Sequence, residues 1–319
     1  MTACGVSISP FSGIPYSELV QLAREAEQAR FSGVYVPEAS NDALMCSYAI
    51  ARDTSQITIG TWIVNIYLRD PALCAAATEM VQEAADGRFI LGLGVSHRPA
   101  MEARGIEMGN ARTRLRHDTE VIRKTLNGET LMFGMKFRQP RKPVPIYYAA
   151  LALETARLGG ELADGLMLYL CTPERMRQSG DVAHQEAKKH GRKPSDVPVT
   201  VGLPVFLHND LKRAYAAAQR GLSFYGALPF YNRLLARSGF EGPAAKIMDA
   251  AKRRDPDAMT SAVSEEMVDA LALVGPQARC HQRLDQYRRA GAEIPILVHN
   301  AVEEDYSTGV RRVLKAFAN

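Results

Sequence analysis

Residues 87–99 read Gly-Arg-Phe-Ile-Leu-Gly-Leu-Gly-Val-Ser-His-Arg-Pro, a short apolar run that ends in small residues, a histidine and an arginine. The segment from Phe89 to Gly94 has no polar face, which is typical of a parallel strand that is buried on both sides. Gly92 and Gly94 leave the backbone open to the approach of a flat group. Polar residues directly after such a strand predict the ligand-binding edge of an α/β enzyme.

Apolar runs alternate with amphipathic helical runs along the rest of the chain. Eight strands are predicted, and a helical segment separates each of the first seven from its successor. They are Gly5 to Ser9, Gly33 to Pro37, Ile57 to Val64, Phe89 to Gly94, Pro145 to Ala149, Gly165 to Tyr169, Val199 to Leu207 and Ile294 to Val298. This pattern predicts a (β/α)₈ TIM barrel of the α/β class, and a doubly wound open sheet is the alternative.

The 319 residues are expected to form a single barrel domain, 1–319, with insertions near 128–143 and 226–271. The first insertion reads as a short hairpin and the second as extra helices. Each insertion is expected either to shape a substrate pocket or to make an oligomer contact. The rings of Phe224, Tyr225, Phe230 and Tyr231 indicate an aromatic pocket wall or ordinary helix packing.

Composition excludes several classes of function. The net charge is only +4 and basic residues are mixed with acidic ones, so nucleic-acid binding is not expected. The five cysteines stand far apart, which favours reduced thiols over disulfides or a metal site. The sequence has neither a basic leader nor an apolar run of about 18 residues, so we expect a cytoplasmic protein without membrane contact.

Residues that follow the predicted strands should meet at one end of a barrel. They are Ser9, Glu38, Asn65, Ser96 to Arg98, Ala150, Leu151, Leu170, His208, His299 and Asn300. Glu38, Asn65 and His97 can orient a polar heterocycle, and His97 or Glu38 can move a proton. Alternatively, His97 is structural, Glu38 pairs with Arg69 or Arg98, and the two glycines only relieve crowding. Sequence motifs for metal-dependent or serine hydrolysis and for a P-loop are absent.

Three segments carry a family resemblance. They are Gln56 to Ala72 (QITIGTWIVNIYLRDPA), Asp86 to Pro99 (DGRFILGLGVSHRP), and Val144 to Ala150 (VPIYYAA) with Glu161 to Gly165 (ELADG). In this order the chain resembles the bacterial luciferase-like superfamily, and most closely its deazaflavin-dependent branch, which includes methylenetetrahydromethanopterin reductase. The resemblance covers roughly residues 5 to 300.

The resemblance implies a barrel whose carboxyl-end mouth binds a flavin or deazaflavin ring, usually in a homodimer. It places a cis peptide bond between Trp62 and Ile63, and the polar edge of the ring near Glu38, Asn65 and the segment Gly94-Val95-Ser96-His97. Ala149, Ala150 and Leu151 would lie near the ribityl chain and phosphate, where amides at a helix N-terminus favour an anion.

The chain also departs from the family pattern. Leu151-Ala152-Leu153 replaces a common Gly-Pro after the fifth strand, and Leu170-Cys171-Thr172 replaces a lysine that some relatives have after the sixth. Arg157, Arg175 or Arg279 would have to supply the positive charge, and each also fits a surface helix position.

The leading hypothesis is hydride transfer between C5 of coenzyme F420 and an electrophilic carbon of a small organic substrate, with His97 first and Glu38 second as proton donor. One alternative is a two-component monooxygenase that uses reduced FMN. Another is a non-catalytic flavin-binding relative that has lost its phosphate loop.

Overall fold

The computed structural model describes residues 4–10 and 13–318. Eight parallel strands form a closed ring, because the first pairs with the last and every other neighbour pairs in chain order. The ring consists of β1 (Gly5–Ser7), β2 (Gly33–Val36), β3 (Thr58–Thr61), β5 (Phe89–Gly94), β8 (Ile146–Ala149), β9 (Gly165–Tyr169), β10 (Val199–Leu207) and β12 (Ile294–His299). Each lies in a predicted strand segment, except that β12 ends one residue later than predicted, at His299. The TIM barrel is therefore confirmed and the doubly wound alternative is wrong.

Two short strands extend the ring at its carboxyl end. β4 (Val64–Asn65) pairs with β5 at Leu93 and Gly94, and β11 (Leu273–Gly275) pairs with the last residues of β10. The predicted strand from Ile57 to Val64 is therefore two strands. The break between them contains the cis peptide bond Trp62–Ile63 that the family resemblance implies.

The helices surround the barrel. They are α1 (Tyr16–Gln28), α2 (Ala43–Asp53), α3 (Pro71–Ala84), α4 (Arg98–Glu102), α5 (Ala111–Leu126), α6 (Leu153–Leu162), α7 (Pro173–Lys189), α8 (Leu211–Gly226), α9 (Pro229–Leu235), α10 (Glu241–Lys252), α11 (Pro256–Ser261), α12 (Glu265–Leu271), α13 (Gln277–Arg289) and α14 (Tyr306–Phe317). Asp70 begins α3 by accepting two backbone N–H groups, and Pro71 takes the first helical position as predicted.

The two inserted segments have the local structures read from the sequence. Within 128–143, β6 (Leu131–Met132) and β7 (Met135–Lys136) form an antiparallel hairpin. Within 226–271, helices α9 to α12 are joined by an irregular turn at Ala236–Phe240, where Gly239 has a φ of 95°. This second segment packs against α8 and reaches the carboxyl end of the barrel.

The centre of the barrel is filled by a tyrosine. A Cβ atom placed on Gly5, Gly33 or Gly60 would lie 2.6–2.8 Å from the Tyr35 ring, so three neighbouring strands make room for that side chain. Ile90, Tyr147, Met167 and Ile296 complete this inner layer. Because the inner layer is packed, a ligand must enter from the carboxyl end of the strands.

Candidate active site

The Glu38 carboxylate is fully engaged within the protein. Its side chain is only 3% exposed and forms an ion pair with Arg69. Oε2 accepts the N–H of Asn65 at 2.8 Å, and Oε1 accepts the N–H of Ala43 at 3.4 Å. Burial raises the pKa of this carboxyl, while the backbone donors and Arg69 act in the opposite direction. Of the two alternative ion pairs expected for Glu38, the structure has the one with Arg69.

The Asn65 side chain is likewise used internally. It is buried, its Nδ2 lies 3.3 Å from Sδ of Met101, and its Oδ1 accepts the N–H of Tyr67 at 3.0 Å. The backbone after β4 continues this pairing, because Ile66 N donates to Gly94 O at 3.1 Å. Glu38, Asn65 and Gly94 therefore come together as predicted, in a network whose polar atoms already have partners.

Gly92 and Gly94 make room for the protein itself. A Cβ on Gly92 would lie 2.2 Å from the Thr61 carbonyl oxygen, and one on Gly94 would lie 2.5 Å from the Ile63 side chain. Relief of crowding therefore explains why both are glycines. That Gly94 contacts a cofactor stays a prediction, as do such contacts of Trp62, Ile63 and Asn65.

The segment Val95-Ser96-His97 follows β5 and forms another part of the rim. Ser96 adopts a positive φ of 57°, and His97 precedes the first turn of α4. His97 Nδ1 is enclosed and has no hydrogen-bond partner among the residues that the structure describes. Burial lowers the pKa of His97, so the imidazole is neutral near pH 7 and one of its nitrogens can donate.

Aromatic rings line the mouth at the carboxyl end of the barrel. The Trp62 ring centroid lies 5.6 Å from that of Tyr169, which in turn lies 5.3 Å from Tyr225 and 6.1 Å from Tyr231. Tyr231 also lies 5.5 Å from the His97 ring, so α8 and α9 bring tyrosines to the rim. The predicted aromatic wall is present for Tyr225 and Tyr231, whereas Phe224 is exposed.

Sequence analysis did not identify Gly202 as a residue that makes room for these aromatic rings. A Cβ on that residue would lie 1.8 Å from the Trp62 ring, so Gly202 on β10 makes room for an indole that reaches across the barrel from β3. A glycine within an apolar strand was the available signal.

The third part of the rim lies where β8 meets α6. Ala150 is buried and its N–H donates to Met167 O at 3.1 Å, while Leu151 is half-buried. α6 begins after Ala152, which has no side-chain oxygen to accept the first amides of the helix. Ala149 lies beside Gly94, whose Cβ would come within 3.3 Å of the Ala149 methyl. These residues place an uncapped helix N-terminus at the mouth.

The three candidate arginines have different environments. Arg279 is paired with Asp269 at 2.8 Å and with the Tyr215 hydroxyl at 2.7 Å, and exposed Arg157 lies 3.9 Å from Glu186. Arg175, on the first turn of α7, is 6% exposed, so reading it as a surface residue was wrong. The buried stripe of α7 also contains Met176, Ser179 and Ala183, and this helical spacing was the signal that was missed.

Three other strand-end residues, Ser9, His208 and His299, have their contacts elsewhere. Ser9 N donates to the Tyr306 hydroxyl at 2.7 Å. His208 Nε2 lies 3.6 Å from Oε2 of Glu303. His299 points out of the barrel against Gly309 of α14. Across residues 4–10 and 13–318 no group of three or more histidine, cysteine or acidic side chains is placed to hold a metal ion.

No helix within the described part of the chain has the length and apolar character needed to cross a membrane.

The closed barrel of eight parallel strands matches the TIM-barrel fold of the luciferase-like oxidoreductases. A family model described as luciferase-like monooxygenase matches residues 3–293. The chain belongs to this family, and it is an enzyme of the oxidoreductase class.

Individual relatives agree with that assignment. The protein of Methanolobus tindarius named 5,10-methylenetetrahydromethanopterin reductase is 29% identical over 285 residues, which cover 85% of this chain and 87% of that protein. The structure of a coenzyme F420 dependent tetrahydromethanopterin reductase from Methanopyrus kandleri has a TM-score of 0.82 at 20% identity and covers 99% of this chain and 98% of that one.

A third similarity is to the oxygenating constituent of 3,6-diketocamphane monooxygenase from Pseudomonas putida, solved in complex with FMN. Its TM-score is 0.69 at 17% identity, with 100% of this chain and 98% of that chain covered. At such identities these structural similarities show that the fold is shared.

Proposed function

We propose that the protein is a coenzyme F420-dependent oxidoreductase that reduces or oxidises a small organic substrate at the barrel mouth. The observation that carries the proposal is the neutral His97 imidazole, which has an unpartnered nitrogen at a rim otherwise made of aromatic rings and backbone. The relatives named as tetrahydromethanopterin reductases support the choice of cofactor.

The mouth fits a flat anionic cofactor. Trp62, Tyr169 and Tyr231 provide apolar surface, the uncapped start of α6 offers backbone N–H groups, and Arg175 brings a positive charge. When bound, a deazaflavin supplies a hydride at C5 or accepts one there. The substrate carbon gains or loses that hydride, and its neighbouring heteroatom gains or loses one proton.

We assign the proton to His97. The ring lies at the rim and has a nitrogen that no described residue occupies. Burial lowers the pKa of His97 and favours the neutral imidazole, which accepts the proton when the substrate is oxidised, whereas the imidazolium gives up a proton when the substrate is reduced. Glu38 is assigned a positioning role, because its oxygens hold Arg69 and the amide of Asn65. The remaining work of the site is alignment of the two reactants.

The experiment is a titration of the ligand-free protein with coenzyme F420 and, separately, with FMN, followed by fluorescence and thermal shift. The proposal expects saturable F420 binding with little response to FMN. Preference for FMN together with oxygen consumption would replace it with the monooxygenase hypothesis. Binding of neither would favour the non-catalytic relative.

We also infer that two copies associate through α2 and α3. Met45 on α2 and Leu73 and Met80 on α3 are 56–66% exposed, and the spacing of the latter two places them on one helix face. The molar mass from light scattering tests this inference. We expect the mass of a dimer for the native protein and the mass of a monomer for Leu73→Glu. A monomeric native protein would remove the inference.

A further inference from the structure

The hairpin of β6 and β7 lies at the end of the barrel opposite the mouth. It belongs to the segment 128–143, which connects the end of α5 to the start of β8, and such connections meet at the amino ends of the strands. Lys142 Nζ donates to the carbonyl oxygen of Asp86 at 2.8 Å, just before β5 begins. The hairpin therefore does not line a substrate pocket at the mouth, which leaves an oligomer contact as its expected role.

The tip of the hairpin is apolar and open to solvent. Leu131, Phe133 and Met135 are 59%, 92% and 66% exposed, and only chain neighbours lie within 4 Å of a Cβ placed on Gly134. Phe133 and Gly134 form the two-residue turn, with positive φ angles of 52° and 77°. Such a turn favours asparagine before glycine, and a bulky residue there is strained. Turn formation therefore does not explain Phe133.

The hairpin continues an apolar surface on the helices beside it. Arg138 forms ion pairs with Glu79 and Glu83 of α3. Glu83 stands three residues after the exposed Met80, on the same helix face. Among the described residues, eight of the eleven exposed large apolar side chains lie on α2, on α3 and the loop before it, or on this hairpin. Exposed apolar surface is therefore concentrated on one side of the protein.

This surface is large enough for a stable protein interface. The eight side chains are 40–92% exposed and together present on the order of 800 Å², which is what one partner contributes to an interface of standard size. Monomeric proteins rarely expose more than a few hundred Å² in one apolar patch. A protein partner therefore accounts for this surface better than exposure in a monomer does.

The charges around the hairpin favour a second copy of the chain as that partner. Residues 79–86 contribute three acidic side chains and the segment 128–143 contributes one acidic and four basic ones, so the charges cancel. Lys142 is paired with Asp86 at 3.0 Å, and Arg138 is paired as described above. In a symmetric dimer the surface meets its own copy, where a net charge would repel itself and a balanced one does not. The same balance gives an anionic lipid surface little electrostatic attraction.

We propose that the β6–β7 hairpin is a dimerisation arm, whose apolar tip at residues 131–135 packs against the same side of a second copy of this chain. The contact is separate from the helix contact between α2 and α3 inferred above, and it extends that contact towards the amino end of the barrel. It involves neither cofactor nor substrate, so it stands or fails apart from the proposed oxidoreductase activity.

Phe133→Asn tests the tip without damage to the hairpin. Asn-Gly is a preferred pair for this turn, so the variant keeps the hairpin and loses the most exposed apolar side chain. Phe224→Asn is the control, because Phe224 is also exposed, at 63%, but lies on α8. Sedimentation velocity over a dilution series should give a dimer dissociation constant about 10- to 100-fold higher for Phe133→Asn and an unchanged one for the control. An unchanged constant for Phe133→Asn would overturn the proposal.

Methionine oxidation separates the arm from the helix contact. Met132 and Met135 report on the hairpin, whereas Met45 and Met80 report on α2 and α3, and all four are exposed. The native protein is treated briefly with hydrogen peroxide above and below its dissociation constant, and the sulfoxides are located by peptide mass spectrometry. The proposal expects several-fold slower oxidation of Met132 and Met135 in the concentrated protein than in the dilute one.

The pattern of protection decides between the two contacts. Protection of Met45 and Met80 alone would overturn the arm and keep the helix contact. Protection of Met132 and Met135 alone would keep the arm and remove the helix contact. A native protein that stays monomeric when concentrated would overturn both. Sedimentation of that monomer, but not of Phe133→Asn, with phosphatidylglycerol vesicles would then assign the tip to a lipid surface.

Discussion

The two sides of the barrel mouth differ in how their polar groups are satisfied. On the paired side, defined by Glu38, Asn65 and Arg69, an ion pair and backbone donors occupy the carboxylate and amide groups. On the open side, defined by His97, Arg175 and the start of α6, enclosed nitrogens have no partner among the described residues. Since buried polar groups are rarely left unpaired, we expect a ligand to bind on the open side and the paired side to support it.

The largest effect is expected for a substitution that disrupts the paired side. Glu38→Ala leaves Arg69 with only its longer contact to Asp42, at 3.5 Å, and removes the acceptor of the Asn65 amide, so we expect a loss of about 3–4 kcal/mol of unfolding free energy. Urea unfolding measures it. Glu38→Gln keeps an acceptor and loses only the charge, so its loss should be smaller. Equal stability of Glu38→Ala and the native protein would show that the pair contributes nothing.

The next prediction concerns a buried histidine, His299, whose ring nitrogens are also unpartnered within the described chain although it lies away from the barrel mouth. His299 is 6% exposed and both ring nitrogens lack partners among the described residues, but it faces α14 outside the barrel. Burial lowers its pKa to about 4. In the unfolded protein the pKa of this histidine is near 6.5, so it binds a proton at a higher pH there than in the folded protein. The contribution of His299 to the free energy of unfolding is therefore complete above about pH 6.5 and declines towards pH 4.

That decline should approach about 3 kcal/mol at pH 4, because each unit of pKa shift is worth about 1.4 kcal/mol. Urea unfolding at pH 7, 5.5 and 4 measures it, and His299→Leu should flatten the part of the pH dependence that His299 causes. Identical pH dependence in the two proteins would mean that His299 does not titrate in this range.

A smaller effect is expected for the glycine that joins the two sides. Gly94→Ala pushes a methyl group into the Ile63 side chain, so we expect a loss of about 1–3 kcal/mol from overpacking. Gly242→Ala on α10 is the control, because nothing lies within 4 Å of its added Cβ. Chemical unfolding of both variants decides the point, and equal stabilities would refute the packing explanation for Gly94.

The smallest effect concerns the open side. His97→Gln should lower turnover with coenzyme F420 at least about tenfold, or about 1.4 kcal/mol of activation free energy, because Gln cannot transfer the proton that we assign to His97. The melting temperature should stay close to that of the native protein, because Nδ1 holds no described residue in place. An unchanged rate would remove His97 from the mechanism.

Sequence reasoning predicted the paired side better than the open side. Apolar strands and helical periods located all eight barrel strands, and the pair Glu38–Arg69 was among the stated alternatives. The burial of Arg175 was missed because a single arginine on a helix is usually solvated. The contact of Gly202 with Trp62 depends on the stagger of strands across the closed barrel, which residue patterns do not encode locally.

The most direct test of the difference between the two sides is hydrogen exchange of the backbone amides, with and without saturating coenzyme F420. The account predicts new protection in 95–98, 151–155 and 172–176, on the open side, with little change in 38–43 and 65–69. Protection confined to 38–43 and 65–69 would contradict it, because the ligand would then bind where the polar groups are already paired.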